Sequence, residues 1–346
     1  MISQSPTKTF PAYDYPAEPY EQWDFDVLQI PKEELSKVII NMFKHLNLLS
    51  AFNIAERTLY TFVEEIRLKY LLNPYHNFVH AVDVTQMMFV LLTHGNAKQF
   101  FTHLDTLILM TAAVCHDVEH PGVNQAFLAA IKDPRVAKYG NSSVLEKHHL
   151  GVTFALLADP RTDVFAGLSV AQAEEARKSL RNIVLATDMA RHKEISETFQ
   201  RRLDVPEPLS CNSEEDRVLL SQMIMKCADL GNVTRSWKVG SPWCTFLAEE
   251  FSRQGDQEEQ HGLPVTPMMD RRLIDVRKQS AGFIGFMALP MFELAARWLP
   301  ELGMHVVPAI RANVDLWKSM LPPPEDPAAG EGCLHGFEHS TPIDFV

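Results

Sequence analysis

A chain of 346 residues, 46% of them hydrophobic, is long enough to bury a sizeable core in one large or two ordinary domains. Its 32 Lys plus Arg stand against 44 Asp plus Glu, and the net charge of -12 excludes a broadly basic face of the kind that follows nucleic-acid phosphates or an anionic lipid surface. The five cysteines form no CxxC pair, and no run approaches the ~20 apolar residues of a membrane span. With free thiols and no apolar leader in MISQSPTKTFPAYDYP, the expectation is a soluble, cytoplasmic protein.

In chain order, residues 1–21 carry Pro11, Pro16 and Pro19 among Ser, Tyr and acid, and are expected as a disordered tail, as are the Pro-, Gly- and acid-rich residues 322–346. Between them, residues 22–321 are expected to form one all-α domain of a dozen or more helices. Leu35, Val38, Ile39, Met42 and Phe43 recur at i, i+3, i+4, i+7 and i+8, and Leu59, Phe62, Val63 and Ile66 continue that period. After Asn73-Pro74, His76 and His80 stand four apart, a spacing that predicts two imidazoles on one helical face. Met87 to Leu92 read as a core helix. The run TAAVCHDVEHPG, residues 111–122, then ends an apolar segment with His116, Asp117 and His120, which predicts a second i, i+4 imidazole pair. Glu174, Glu175, Arg177 and Lys178 read as a solvated helix face. In MKCADLGN, Asp229 closes a further apolar helix, where an unpaired charge would cost several kcal/mol.

Three helices thus bring acid or imidazole into apolar surroundings. A divalent metal accounts for all three at once: imidazole with carboxylate suits Zn²⁺, and carboxylate with water suits Mg²⁺ or Mn²⁺. Two such ions bridged by a carboxylate are a device for attacking phosphorus in line, so phosphoester hydrolysis is the leading chemistry.

The segments YHNFVH, HDVEHPGVNQ, LATDMARH, KCADLGNVTR and GLPVTPMMDR, in this order, resemble the catalytic domain of class I 3′,5′-cyclic nucleotide phosphodiesterases, from about Trp23 to about Met320. ILMTAAVCHD, LATDMARH and PWCTFLAEEF are most similar to the ninth, cGMP-specific mammalian family. The resemblance implies an all-α domain of the His-Asp superfamily with two divalent ions. His80, His116, Asp117 and Asp229 would hold a zinc ion, and Asp117 would bridge to a magnesium or manganese ion. A bridging hydroxide would attack phosphorus while His76 protonates the leaving O3′ as general acid, and His120, Glu146 and Thr187 would hydrogen-bond the metal waters. Glu119 receives no role.

For the substrate, the resemblance implies a cyclic nucleotide contacted by Tyr75, Asn232, Leu247, Phe251, Gln279, Ser280 and Phe283. Phe283 matches the aromatic that clamps the purine. Relatives carry a glutamine anchor three residues earlier, where this chain has Ser280; Gln279 is one residue further back, rotated by about 100° on a regular helix. Either a one-residue slip such as a π-bulge returns Gln279 to the purine, or the anchor is weakened and base selectivity relaxed. By similarity cGMP is favoured, with cAMP or dual use next. Residues 255–270 resemble the mobile loop beside the pocket. No nucleic-acid partner and no membrane span are expected, and a homodimer is left open. Two further readings remain: another His-Asp phosphohydrolase, against which Phe283 and GLPVTPMMDR argue, and a non-catalytic nucleotide-binding relative, against which the complete ligand set argues.

Overall fold

The structure, a computed structural model, describes residues 19–322; the expected tails at 1–18 and 323–346 lie outside the described residues. Among the described residues there is helix and loop but no strand. The helices are α1 (Leu35–His45), α2 (Leu48–Ala51), α3 (Glu56–Lys69), α4 (Phe78–Thr93), α5 (His103–Cys115), α6 (Gln125–Ala130), α7 (Pro134–Tyr139) and α8 (Val144–Leu156). They continue as α9 (Val170–Val184), α10 (His192–Leu203), α11 (Glu214–Asp229), α12 (Trp237–Gln260), α13 (Val276–Phe283), α14 (Leu289–Ala296), α15 (Pro300–His305) and α16 (Val307–Ser319).

The centre is made by helices that are buried on nearly every side. In α4 every residue from His80 to Leu92 is buried, including the whole Met87–Leu92 run, and α5 is buried from Thr106 to Cys115. Such helices have no solvent face and must be enclosed by others. α4 lies against α1, α5 and α11, and α5 also lies against α9. One continuous core runs from Tyr20 to Trp317, with a small satellite of Val123, Phe127, Leu128 and Leu145. Residues 19–21, expected within the tail, are instead packed on the domain: Pro19–Glu21 is a 3₁₀ turn whose Tyr20 ring packs on Phe89 at 5.5 Å, and the buried Gln86 amide donates to the carbonyls of Tyr20 and Gln22 at 2.8 and 2.9 Å.

Helix ends place the chemistry, and here two sequence expectations are corrected. Asn77 is the N-cap of α4, extended at φ -134°, with its side chain accepting from the backbone of Val79 and His80. His80 thus lies in the first turn while His76 precedes the helix, so the two are not an i, i+4 helical pair. α5 opens on a Thr102–Asp105 capping box and stops at Cys115. His116 is its C-cap and His120 follows a turn in which Glu119 takes a left-handed φ of 61°, so this second pair is not helical either.

The expected loop at 255–270 also starts later. α12 runs through Gly255 to Gln260, and Gly255 is needed because the Met269 carbonyl oxygen passes 2.0 Å from where a Cβ would stand. At its other end, α12 starts beside the fully buried Arg235. The guanidinium donates to Asp83 at 3.0 Å, to Gln86 at 2.6 Å and to the Trp23 carbonyl. Removing one partner from such a buried pair costs about 3–5 kcal/mol, so the segment carrying Asn232 is firmly tied to α4.

Candidate active site

Three helix ends meet at one point. His80 comes from the first turn of α4, His116 and Asp117 from the end of α5, and Asp229 from the last residue of α11. Their ligand atoms all lie within 4.8 Å of one another. His116 Nε2 is 3.3 Å from His80 Nε2, 3.1 Å from Asp117 Oδ2 and 3.2 Å from Asp229 Oδ1; His80 Nε2 is 3.6 and 3.3 Å from the same two oxygens. Neighbouring ligands of a tetrahedral ion with bonds of about 2.0–2.2 Å are about 3.3–3.6 Å apart, so two imidazoles and two carboxylates here fit a divalent metal. The His116 tautomer suits that use, because Nδ1–H donates to the Ala113 carbonyl at 3.0 Å and leaves Nε2 turned inward. Burial pushes the carboxyls of Asp117 and Asp229 up, but without a metal the His116 imidazolium holds them well below the usual range, just as they overcome burial to raise His116; a divalent ion would take the place of that His116 proton.

Beside this cluster stands His76. Burial pushes its imidazolium down, and the Glu250 carboxylate overrides that and raises it to about 9. Glu250, from α12, accepts closely from His76 Nδ1 with Oε1, and with Oε2 takes the backbone N–H groups of Tyr75 and His76 at 2.9 and 3.0 Å. Burial raises the Glu250 carboxyl, and His76 outweighs this to hold it at about 2. The ring is thereby oriented with Nε2 on the metal side, 4.0 Å from Asp117 Oδ2. His120 stacks on it at 4.0 Å, and its Nδ1 accepts from the Gly122 N–H at 3.0 Å. Burial first, and the neighbouring His76 second, hold His120 well below its usual pKa, so it stays neutral with its proton on Nε2. Asn73 donates to the carbonyls of both His76 and His120, at 2.9 and 2.7 Å.

Glu146 is half-buried on α8; burial first, then the Asp188 charge, push its carboxyl up to about 8, with Asp117 and Asp229 adding to the rise. Thr187 is buried, and its hydroxyl donates to the Val184 carbonyl at 2.8 Å.

The residues expected at the purine are only partly gathered. Asn232 Nδ2 donates to Tyr75 Oη at 2.6 Å, leaving its Oδ1 as the free acceptor, and Tyr75 packs edge-on to Trp243. Leu247 and Phe283 pack against the core, and Phe251 is half-buried on α12. Ser280 is buried with its hydroxyl on the Cys244 thiol. Gln279 instead turns to the loop, donating to the Met268 carbonyl at 2.8 Å. A π-helical turn does exist, but at Ile284–Ala288, after Phe283, so α13 is regular from Gln279 to Phe283 and no slip puts Gln279 in place of Ser280.

Sequence reasoning missed two groups. Glu250 has a signal in hindsight: it falls seven residues after the buried Trp243 and three after Leu247, on the inward face of α12. His149 had none beyond the doublet His148-His149. It is buried, its Nδ1–H donates to the Val118 carbonyl at 2.7 Å, and its Nε2 lies 3.7 Å from Asp117 Oδ1. Burial pushes it down to about 4, so it faces the cluster as a neutral acceptor.

An all-helical domain with an imidazole–carboxylate cluster at its helix ends, able to hold a divalent metal, defines the class. A profile of the 3′5′-cyclic nucleotide phosphodiesterase family matches residues 75–308, and the chain belongs to that family. It is 36% identical over 276 residues to the human high affinity cGMP-specific 3′,5′-cyclic phosphodiesterase 9A, covering 80% of this chain and 46% of the relative. It is 33% identical over 330 residues to a probable 3′,5′-cyclic-AMP phosphodiesterase of Caenorhabditis elegans, covering 92% and 48%. The chain spans about half the length of the curated relatives it matches. The phosphodiesterase domain of a rhodopsin fusion protein from the choanoflagellate Salpingoeca rosetta superimposes with a TM-score of 0.84 at 29% identity, over 88% of this chain and 96% of that one.

Proposed function

We propose that this chain hydrolyses 3′,5′-cyclic purine nucleotides to 5′-monophosphates in a metal-dependent reaction. The observation that carries the reading is His76: its Nε2 faces the four-ligand cluster while Glu250 grips its Nδ1. A zinc ion would be held by His80, His116, Asp117 and Asp229, and a magnesium or manganese ion would share Asp117. Such ions would supply Lewis-acid charge for the phosphate and an acidified water as nucleophile.

The chain's own groups do the rest. His76 holds a proton on Nε2 and delivers it to the departing O3′, with the Glu250 charge stabilising the imidazolium until then. Neutral His120 and His149, with Glu146 and Thr187, orient water around the centre. Tyr75 fixes the Asn232 amide so that Oδ1 meets a hydrogen-bond donor on the base, and Leu247, Phe251 and Phe283 enclose the purine faces. cGMP is the preferred base, supported by the 36% identity to a cGMP-specific relative. cAMP follows closely, because the Ser280 hydroxyl is engaged by the Cys244 thiol and no amide at that position reads the purine edge.

The test is hydrolysis of cGMP and cAMP side by side, with Mg²⁺ or Mn²⁺ and again after chelation. Metal-dependent turnover of either cyclic nucleotide supports the reading. Folded, metal-loaded protein that turns over neither overturns it.

A further inference from the structure

α12 carries more than Glu250. Three polar side chains stand on one face at i, i+4 and i+8, Glu250, Gln254 and Glu258, at 3%, 2% and 4% exposure. Each grips a different segment. Glu250 takes the Tyr75–His76 backbone. Gln254 Oε1 accepts the Asn124 backbone N–H at 2.7 Å, and its Nε2 donates to Glu258 Oε1 at 2.8 Å. Glu258 also accepts the Thr266 backbone N–H on Oε2 at 2.6 Å and the Thr266 hydroxyl on Oε1 at 3.1 Å.

Asn124 is two residues beyond Gly122, whose N–H is bonded to His120, and the His120 ring is stacked on His76. Thr266 lies on the loop that the Gln279 amide holds through the Met268 carbonyl. A continuous polar line therefore joins that loop and α13 to the turn carrying His120.

We infer that Gln254 and Glu258 are positioning residues for the reaction, setting the His120–His76 stack from the far end of α12. This rests on the phosphodiesterase reading above. Its physical basis is donor–acceptor parity. The Asn124 and Thr266 N–H groups can only donate, so both outer positions need acceptors. Glu258 accepts at all three of its contacts, and that fixes the Gln254 amide with its oxygen toward Asn124. A glutamine at 258 has a single accepting atom, so one donor must face another donor: at Thr266, or at Asn124 once the Gln254 amide flips. Exchanging the two side chains restores parity. A glutamate at 254 accepts from Asn124 and from the new amide, whose oxygen accepts from Thr266.

The experiment compares wild type, Glu258→Gln and the exchanged pair Gln254→Glu with Glu258→Gln, all metal-loaded. It reads amide hydrogen exchange at residues 120–126 without nucleotide, then kcat and KM for the cyclic nucleotide. Glu258→Gln is expected to speed exchange at Asn124 about 10-fold and to lower kcat about 10-fold, with KM within about threefold and metal content kept. The exchanged pair returns both to within about threefold of wild type. Thr266→Val, which removes only the hydroxyl contact, covers the case in which Glu258→Gln does not fold, and changes exchange at 120–126 about threefold. Wild-type exchange and kcat in Glu258→Gln, an exchanged pair no better than the single variant, or unaltered exchange in Thr266→Val overturns the inference. If wild type turns over no cyclic nucleotide while exchange responds as described, the ladder stands and the reading of the function falls.

Discussion

The His-Asp cluster and the wall proposed to face the purine are built differently. His80, His116, Asp117 and Asp229 project from the ends of α4, α5 and α11, the three most enclosed helices, and their ligand atoms converge within 4.8 Å. Ser280, Gln279 and Phe283 sit on the eight-residue α13, reached through a loop, and their polar atoms are spent on Cys244 and Met268. Rigid core helices hold a demanding geometry with little freedom, whereas a short helix behind a loop can exchange residues and find new local partners. On the function proposed above, chemistry is placed by the first kind of element and selectivity is left to the second.

Breaking the cluster has the largest effect. Asp229→Ala leaves His80 and His116 without a facing carboxylate on α11, so metal content by atomic absorption and turnover are lost together; retained turnover would remove Asp229 from the ligand set. Next is His76→Ala, which keeps the metal and slows turnover on the order of 10²–10⁴-fold, the usual worth of a general acid. Full activity in that variant would end its role as the acid.

Changes at the purine wall are smaller and appear in KM. Ser280→Gln supplies an amide at the clamp position and is expected to tighten KM for one purine over the other, by up to about 10-fold for one added hydrogen bond. Equal weakening for both purines would show that Cys244 leaves the amide no room. The smallest effect is that of Gln279→Ala, which frees the Met268 carbonyl at a half-buried site and costs about 1 kcal/mol of loop stability, read as faster amide exchange over residues 262–272 with metal content unchanged. A loss of metal in this variant would erase the distinction between the two regions.

The all-α class, the family and the four His and Asp residues that the fold gathers were legible in the sequence, because helical period and clustered His and Asp are local signals. The local geometry was less so. His76 and His116 were expected inside helices, yet the Asn77 cap and the left-handed Glu119 put the helix ends between the paired histidines. Spacing reports that two residues are near; capping decides which way they point.

The sequence by itself determined the groups available: two imidazoles and two carboxylates closing apolar segments, a further histidine at position 76, and Ser280 where the family resemblance leads to the expectation of a glutamine. Only the tertiary structure decided that Glu250 orients His76 across 174 residues of chain, that Gly255 continues a helix because the Met269 carbonyl passes against it, and that Gln279 serves the loop. The first contact joins segments far apart in sequence and the other two fold the 262–272 loop back on its flanking helices; in the first, burial makes the contact obligatory, because a carboxylate enclosed by helices must find its partner wherever the fold brings one.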